Sequence, residues 1–309
     1  MYNEKIIIDT DPGDDIDDAF AIAFAANAGM NIIGVTTVFR NAMQRAKMTK
    51  LLLKYCGRGD IPVYAGVDTA IVQKMQYLLP PEMLEKEMKE GYYTLPQYMP
   101  EMENEVVEDE HAVDFIIRKA RELKGELVLV AIGPFSNVAM AVRKAPDIIP
   151  LIKELRIIAG YYTKDIPEWN IACDPEAARV MYTCGIPIKA IGLDLTLQCP
   201  LSDEDQVELR NLSQEGNKLI IKMMDKWFEH YKSERPIMHD PIVIASMLDD
   251  SVVGFEEKYV LIGLQGQERN KTIMQDEPTL ENSKIKVGLT VNRDRFFEIF
   301  KKYIFKHVN

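Results

Sequence analysis

The 309 residues are 47% hydrophobic and 28% charged, an ordinary globular balance that excludes disorder for the bulk of the chain and allows a large core without disulfides or a structural metal. Forty-eight acidic residues against 37 basic ones give a net charge of −11, which argues against nucleic acid or an anionic membrane as the main partner, because both need a basic footprint. No apolar run approaches the roughly 18 residues that span a bilayer, and the first residues carry no basic-then-apolar leader pattern. Four widely spaced cysteines (Cys56, Cys173, Cys184, Cys199) without a Cys-x-x-Cys pair read as free thiols of a reducing compartment, so the expected location is cytoplasmic.

In chain order, short β-type runs alternate with helical stretches. Residues 5–8 read as a strand, and 17–28 as a helix with acids in its first turn and Gly29 behind it. A β-branched strand is expected over 32–38 and a helix over 42–56, stopped by Gly57. An amphipathic helix follows at 109–123, a buried strand at 126–132, and further strands at 155–159 and 188–193. Residues 73–108 are rich in Met, Glu, Tyr and Pro and lack a clear period; they read as a flap or insertion over one end of the sheet, helical in part at 82–90. A helical layer is expected over 203–231, then strands at 259–264 and 286–291 and a last helix at 293–305. This interleaving predicts an α/β fold: a single large domain whose mostly parallel central sheet carries helices on both faces. No repeat, low-complexity segment or linker divides the chain.

Six aspartates stand within ten residues of the first strand, in Asp9-Thr10-Asp11-Pro12-Gly13-Asp14-Asp15-Ile16-Asp17-Asp18. Ligands of open α/β sheets bind beyond the carboxyl ends of strands, and this many carboxylates there repel one another unless a counter-charge joins them. A helix cap with solvated acids would use one or two acids, not six. An all-oxygen set suits Ca²⁺ or, as the lesser candidate, Mg²⁺ rather than Zn²⁺. An EF-hand counted from Asp9 fails, since its sixth and twelfth positions hold Asp14 and Phe20 and Pro12 interrupts the loop. An aspartate-based phosphatase also carries Asp-x-Asp after its first strand, but it needs a cationic partner, and none stands near these acids in sequence.

Asp9-Thr10-Asp11-Pro12-Gly13 followed by Asp17-Asp18-Ala19 resembles the N-terminal signature of the inosine–uridine-type nucleoside hydrolases, Asp-x-Asp-Pro-Gly-x-Asp-Asp-Ala, with two extra residues before the Asp-Asp-Ala. Aligning on the alanine and helix favours Asp17 and Asp18 over Asp14 and Asp15, and makes Asp14→Ala a mild substitution. Four later segments match in order: Val35-Thr36-Thr37-Val38-Phe39-Arg40-Asn41; Ala131-Ile132-Gly133-Pro134-Phe135-Ser136-Asn137; Glu168-Trp169-Asn170-Ile171 with Asp174-Pro175-Glu176-Ala177; and Met238-His239-Asp240-Pro241. The resemblance spans nearly the whole chain.

The resemblance implies a Rossmann-like nucleoside hydrolase fold over residues 1–309 and hydrolysis of a riboside's N-glycosidic bond to ribose and free base, with a small-molecule substrate and a homo-oligomeric state, dimer or tetramer. It implies one Ca²⁺ held by Asp11, Asp18, Asp240 and the backbone carbonyl of Ile132. Asp11 would also take the proton of the attacking water. Asp17, Asn41, Glu168 and Asn170 would bind ribose hydroxyls, with Asp9 and Asp15 supporting the loop. Trp169 and His239 would face the base, and His239 would help protonate it as it leaves. The chain departs from the family at two places: 73–108 lacks the usual His-Gly-x-x-Gly loop, and Tyr161-Tyr162-Thr163-Lys164-Asp165 stands where Gly-Asn is common. Both departures fall near the base or the 5′ group, so the base preference stays open. The competing readings are a riboside-binding protein without turnover and a metal-dependent phosphohydrolase.

Overall fold

The computed structural model describes residues 3–72, 93, 95–212, 215–232 and 235–305. Within them, nine strands form one sheet: β1 (Lys5–Thr10), β2 (Ile32–Thr37), β3 (Val63–Ala65), β4 (Leu127–Ala131), β5 (Ile152–Ile158), β6 (Ile188–Ile191), β7 (Val253–Ile262), β8 (Thr272–Gln275) and β9 (Ser283–Val291). Their order is β3-β2-β1-β4-β5-β6-β9-β7-β8. The strands from β3 through β9 in that order pair in parallel, while β7 runs antiparallel to both β9 and β8.

Both faces of the sheet are covered, and the strand sequences show why. In β1, Ile6 and Ile8 join one buried cluster and Ile7 the other; in β4, Val128 and Val130 face one side and Leu127, Leu129 and Ala131 the opposite one. Side chains two apart share a face, so a continuous run of Ile, Leu and Val needs a layer on each side. The first layer is α1 (Asp17–Asn27), α2 (Ala42–Tyr55), α9 (Glu215–Tyr231), α10 (Pro241–Leu248) and α11 (Arg293–Ile304). The second contains α3 (Ala112–Leu123), α4 (Ser136–Lys144) and α6 (Pro175–Thr183). Short helices α5 (Trp169–Cys173) and α7 (Leu193–Thr196) follow β5 and β6, and α8 (Asp203–Asn211) precedes α9.

From β1 the chain builds outward through β2 and β3, then returns to lay β4 on the other side of β1. This reversal opens a crevice beyond the carboxyl ends of β1 and β4, where open α/β sheets bind ligands.

Several expected elements differ in detail. The first strand runs on to Thr10, so Asp9 lies within the sheet and pairs with Thr36 and Ala131. The helix expected from 109 begins at Ala112, because the His111 ring nitrogen accepts from the Val113 amide and caps it. The 203–231 layer consists of two helices. Strand β7 starts at Val253, ahead of the expected 259; Gly254, Glu256 and Glu257 face solvent and dilute its apolar signal. The helix expected at 82–90 lies outside the described residues. Residues 73–92 and 94 of the expected flap lie outside the described residues; at its far end Leu95, Met99 and Met102 are buried in the core cluster that also holds Met48 and Leu52 of α2.

Candidate active site

The carboxylate loop grows directly out of β1. Asp9, fully buried, accepts from Thr36 Oγ at 2.6 Å and Asn137 Nδ2 at 2.8 Å, which ties β1 to β2 and α4. Burial pushes its carboxyl up to about 7, against the lowering effect of those two bonds. Asp11 passes Gly133 so closely that a Cβ there would stand 2.7 Å from its Oδ1, which is why the Gly-Pro turn after β4 needs glycine. Helix α1 starts at Asp17, placing Asp17 and Asp18 in its first turn. Asp18 accepts from the Thr10 hydroxyl and, at 3.1 Å, from the Asp11 amide. Asp240 precedes α10 without capping it, so its carboxylate is left for the crevice, and its amide donates to Asp17 Oδ2 at 3.2 Å.

Oxygens of Asp17, Asp18 and Asp240, all buried, lie within 4.8 Å of one another. Burial, followed by repulsion from neighbouring aspartates, raises the carboxyls of Asp11, Asp17 and Asp240 well above the ordinary range. Burial also raises Asp18 to about 6 and Asp15 to about 7. Two helix N-termini supply partial positive charge there, far short of neutralising such a set. Buried, crowded, oxygen-only donors are what a hard divalent cation binds, so the residues fit a metal. The trio contains two of the expected ligands, Asp18 and Asp240, together with Asp17, expected as a sugar contact; Asp11 stands close enough to Asp18 and Asp240 for their charges to repel. The Asp11 carboxylate lines the same cavity.

Sequence reasoning missed the counter-ion of the inserted pair. Arg45, from α2 and fully buried, donates to Asp14 Oδ2 at 2.7 Å, Pro12 O at 2.9 Å, Phe39 O at 2.7 Å, Arg40 O at 3.2 Å and the Asp11 carbonyl. Asp14 also accepts from the Tyr93 hydroxyl. It is therefore the partner of a buried cation rather than a dispensable acid, and a mild Asp14→Ala is not expected, since breaking a buried ion pair costs about 3–5 kcal/mol. The signal was an arginine on the apolar stripe of α2 between Ala42, Ala46 and Thr49.

A cavity of about 330 Å³ joins these acids to Ile132, Ile158, Glu168, Trp169, Asn170, Leu193, Trp227, Tyr231 and His239. Glu168 caps α5, its oxygens accepting from the amides of Asn170 at 2.9 Å, Ile171 at 3.1 Å and Gly160 at 3.1 Å. Asn170 Nδ2 donates to the carbonyls of Ile132 at 2.7 Å and Ile158 at 3.2 Å, so the Ile132 carbonyl is oriented by a buried amide. His239 Nδ1 lies 2.6 Å from Thr196 Oγ, and burial pushes its pKa down to about 4, leaving the ring neutral at pH 7. Trp227 and Tyr231, one turn apart on α9 with ring centroids 5.4 Å apart, join Trp169 in the aromatic lining; neither was singled out from sequence. Asn41 stands apart: its Oδ1 accepts from the Gln44 amide and caps α2, its Nδ2 donates to Gln44 Oε1 at 2.7 Å and to Tyr93 O at 3.2 Å, and it does not line the cavity. Among the described residues no Lys or Arg lines the cavity, and Arg45 is spent on carbonyls and Asp14, so no side-chain cation is placed to receive a phosphoryl group.

Residues 6–298 match the family model for inosine-uridine preferring nucleoside hydrolases. A pyrimidine-specific ribonucleoside hydrolase (RihB) of Escherichia coli is 30% identical, over 98% of each chain. A probable uridine nucleosidase 2 of Oryza sativa subsp. japonica is 29% identical, over 98% of this chain and 93% of its own. Among solved structures, a purine-preferring ribonucleoside hydrolase from Gardnerella vaginalis superposes with a TM-score of 0.81 at 27% identity, covering 97% of this chain and 98% of its own. A plant nucleoside hydrolase gives the same TM-score, identity and coverage. With the carboxylate crevice at the β1–β4 reversal and the match running over almost the entire chain, this protein belongs to the inosine-uridine preferring nucleoside hydrolase family, hydrolases of N-glycosyl compounds that split ribonucleosides into ribose and free base.

Proposed function

We propose that this chain is a calcium-dependent, cytoplasmic ribonucleoside N-ribohydrolase whose carboxylates bind the sugar and whose aromatic lining binds the base. The observation that carries this reading is the convergence of Asp17, Asp18 and Asp240 within one cavity that also holds Trp169, Trp227 and Tyr231. Ca²⁺ suits the set because it accepts many oxygens in flexible geometry, whereas Mg²⁺ demands a near-ideal octahedron. When bound, the cation would supply charge to grip sugar hydroxyls and to acidify a water.

The chain's own residues do the rest. Asp18 and Asp240 would hold the cation, Asp17 would serve the cation and the sugar, and the Ile132 carbonyl, oriented by Asn170, would offer a neutral oxygen. Glu168 and Asn170 receive ribose hydroxyls. Asp11 takes the proton of the attacking water as the bond to the base breaks through an oxocarbenium-like state. His239 stands neutral on the base side; as charge gathers on the departing base it opposes the burial that keeps the ring uncharged, and the ring relays a proton taken from solvent to the base. Asp9 fixes the strand end from which the loop departs.

The relatives' names divide between pyrimidine-specific and purine-preferring enzymes at nearly equal identity, so the base is chosen by this chain's own lining. The deciding experiment is ribose release from a panel of purine and pyrimidine ribosides, with and without a chelator. Release that stops on chelation and returns with calcium is expected; tight riboside binding without ribose release overturns the reading.

A further inference from the structure

Three consecutive non-glycine residues, Phe39, Arg40 and Asn41, hold positive φ of 67°, 37° and 70°. Such backbone persists only where its surroundings over-determine it. Here the amides of Phe39 and Arg40 donate to the carbonyls of Val67 and Asp68, and Arg45 closes the turn from the other side: its Nε donates to the carbonyls of Phe39 and Arg40, while its Nη1 donates to the carbonyls of Asp11 and Pro12. A single guanidinium thus binds the β2–α2 loop to the β1–α1 loop that carries the carboxylates. Its remaining arm takes Asp14, one of the two residues this chain has in excess of the family signature.

Asp14 in turn is tied outward. Tyr93 donates its hydroxyl to Asp14, the Arg40 guanidinium lies 3.4 Å from the Tyr93 ring centroid, and the Tyr93 carbonyl accepts from Asn41. Gln97 strengthens the same seam, its Nε2 donating to the carbonyls of Asp14 at 3.0 Å and Asp15 at 2.7 Å, and its amide donating to Gly13 O at 3.3 Å. Leu95 packs against Gly13 beside Met48. Of these groups Asp14 lines the cavity, whereas Arg45, Tyr93 and Gln97 do not.

We propose that Arg45, Asp14 and Tyr93 form a positioning relay that sets the carboxylate loop for its cation: Arg45 fixes the backbone at Asp11 and Pro12, Asp14 neutralises and aims Arg45, and Tyr93 anchors Asp14 to the segment that carries Gln97. The inference rests on the calcium reading above. A relay that positions differs from a buried charge that merely balances acids. A balancing cation competes with calcium, so its charge alone weakens calcium binding, and a substitution that keeps the charge leaves affinity as it was. A positioning fork strengthens binding, and its loss weakens it even when the charge stays.

Arg45→Lys keeps the charge and loses the fork. Tyr93→Phe keeps the ring and the backbone carbonyl and loses only the hydroxyl. Calcium titration of the chelator-stripped proteins by calorimetry should show Arg45→Lys weaker by about 10-fold, the lower end of what loss of an outer partner does to a metal site. Tyr93→Phe should be weaker by about threefold, one hydrogen bond to a carboxylate that Arg45 still holds. Hydrogen–deuterium exchange over residues 10–18 of the metal-free proteins should be faster in both variants. Calcium affinity and exchange matching the parent in either variant overturns the relay. If Arg45→Lys does not fold, Tyr93→Phe decides alone. If the parent itself binds no calcium, the calcium reading falls while the exchange measurement still decides the relay.

Discussion

The carboxylate lining and the aromatic lining of the cavity are built from different parts of the fold. Asp9 sits inside β1, Asp17 and Asp18 in the first turn of α1, and Asp240 at the start of α10; all are buried, and Asp9, Asp17 and Asp18 are bonded to the backbone or side chains of neighbouring elements. Trp227 and Tyr231 hang from the last turns of α9, Trp169 is 38% exposed, and Leu193 comes from the short α7. Groups fixed by sheet ends and helix starts can be held to the tolerance that charge and hydrogen bonding demand. Groups on separate helices, Trp169 partly exposed among them, are not tied into the sheet itself. The carboxylate lining is therefore constrained by the fold and the aromatic lining less so; among the relatives, one is named pyrimidine-specific and another purine-preferring.

The sharpest way to break that contrast is to remove what the carboxylates bind. Chelation should abolish ribose release, and its effect on stability should depend on pH with a definite sign. Asp9 and Asp15 are raised to about 7 and Asp18 to about 6 from a value of 3.8. A carboxyl raised by folding holds its proton in the native state, so its stabilising contribution is complete below about pH 4 and is lost as pH rises through about 6 to 7. A bound cation takes over from those protons. The gap in Tm between calcium-loaded and chelated protein should then widen from about pH 5 to about pH 8. A gap that is constant or narrows would remove the carboxylate cluster as the calcium site.

The next largest effect tests the sugar contacts without touching the protein. A site built to bond a hydroxyl rejects the analogue lacking it by roughly 10⁴-fold in good cases. 2′-Deoxyribosides should be cut that much more slowly than ribosides, whatever the base. A deoxyriboside cleaved within tenfold of its riboside would mean that the carboxylates do not read the sugar.

The same contrast explains how much could be read without coordinates. Aspartates in such density after a β-branched run leave few physical explanations, so β1, the loop and α1 were legible, as was the mostly parallel sheet from the alternation of strands and helices. Arg45 was not, because an arginine between Gln44 and Ala46 on a helix looks like a solvated residue until α2 is laid against the loop. Trp227 and Tyr231 were not, because aromatics one turn apart look like core, and Trp227 is in fact 3% exposed while lining the cavity. Strands β3 and β8, of three and four residues, are too short to carry a period. Asn41 was legible as a motif residue, yet the left-handed turn at 39–41 directs its side chain to Gln44 and Tyr93.

The smallest of these effects bears on His239, which belongs to neither lining alone: it directly precedes Asp240, and its ring lines the cavity with Nδ1 against Thr196. In the free enzyme burial holds its pKa near about 4, so at pH 7 it carries no stored proton. Its contribution must arise as bond breaking proceeds, when negative charge on the departing base raises the proton affinity of the ring. A group that acts only then changes kcat and leaves substrate affinity nearly as it was. His239→Ala should slow kcat for nucleosides by about 10²-fold, the lower end for general acid catalysis, with little change in KM. A nitrophenyl riboside, whose leaving group departs without a proton, should be slowed far less. If both substrates slow equally, the ring serves to place Asp240 through its Thr196 contact, and protonation of the base falls to water.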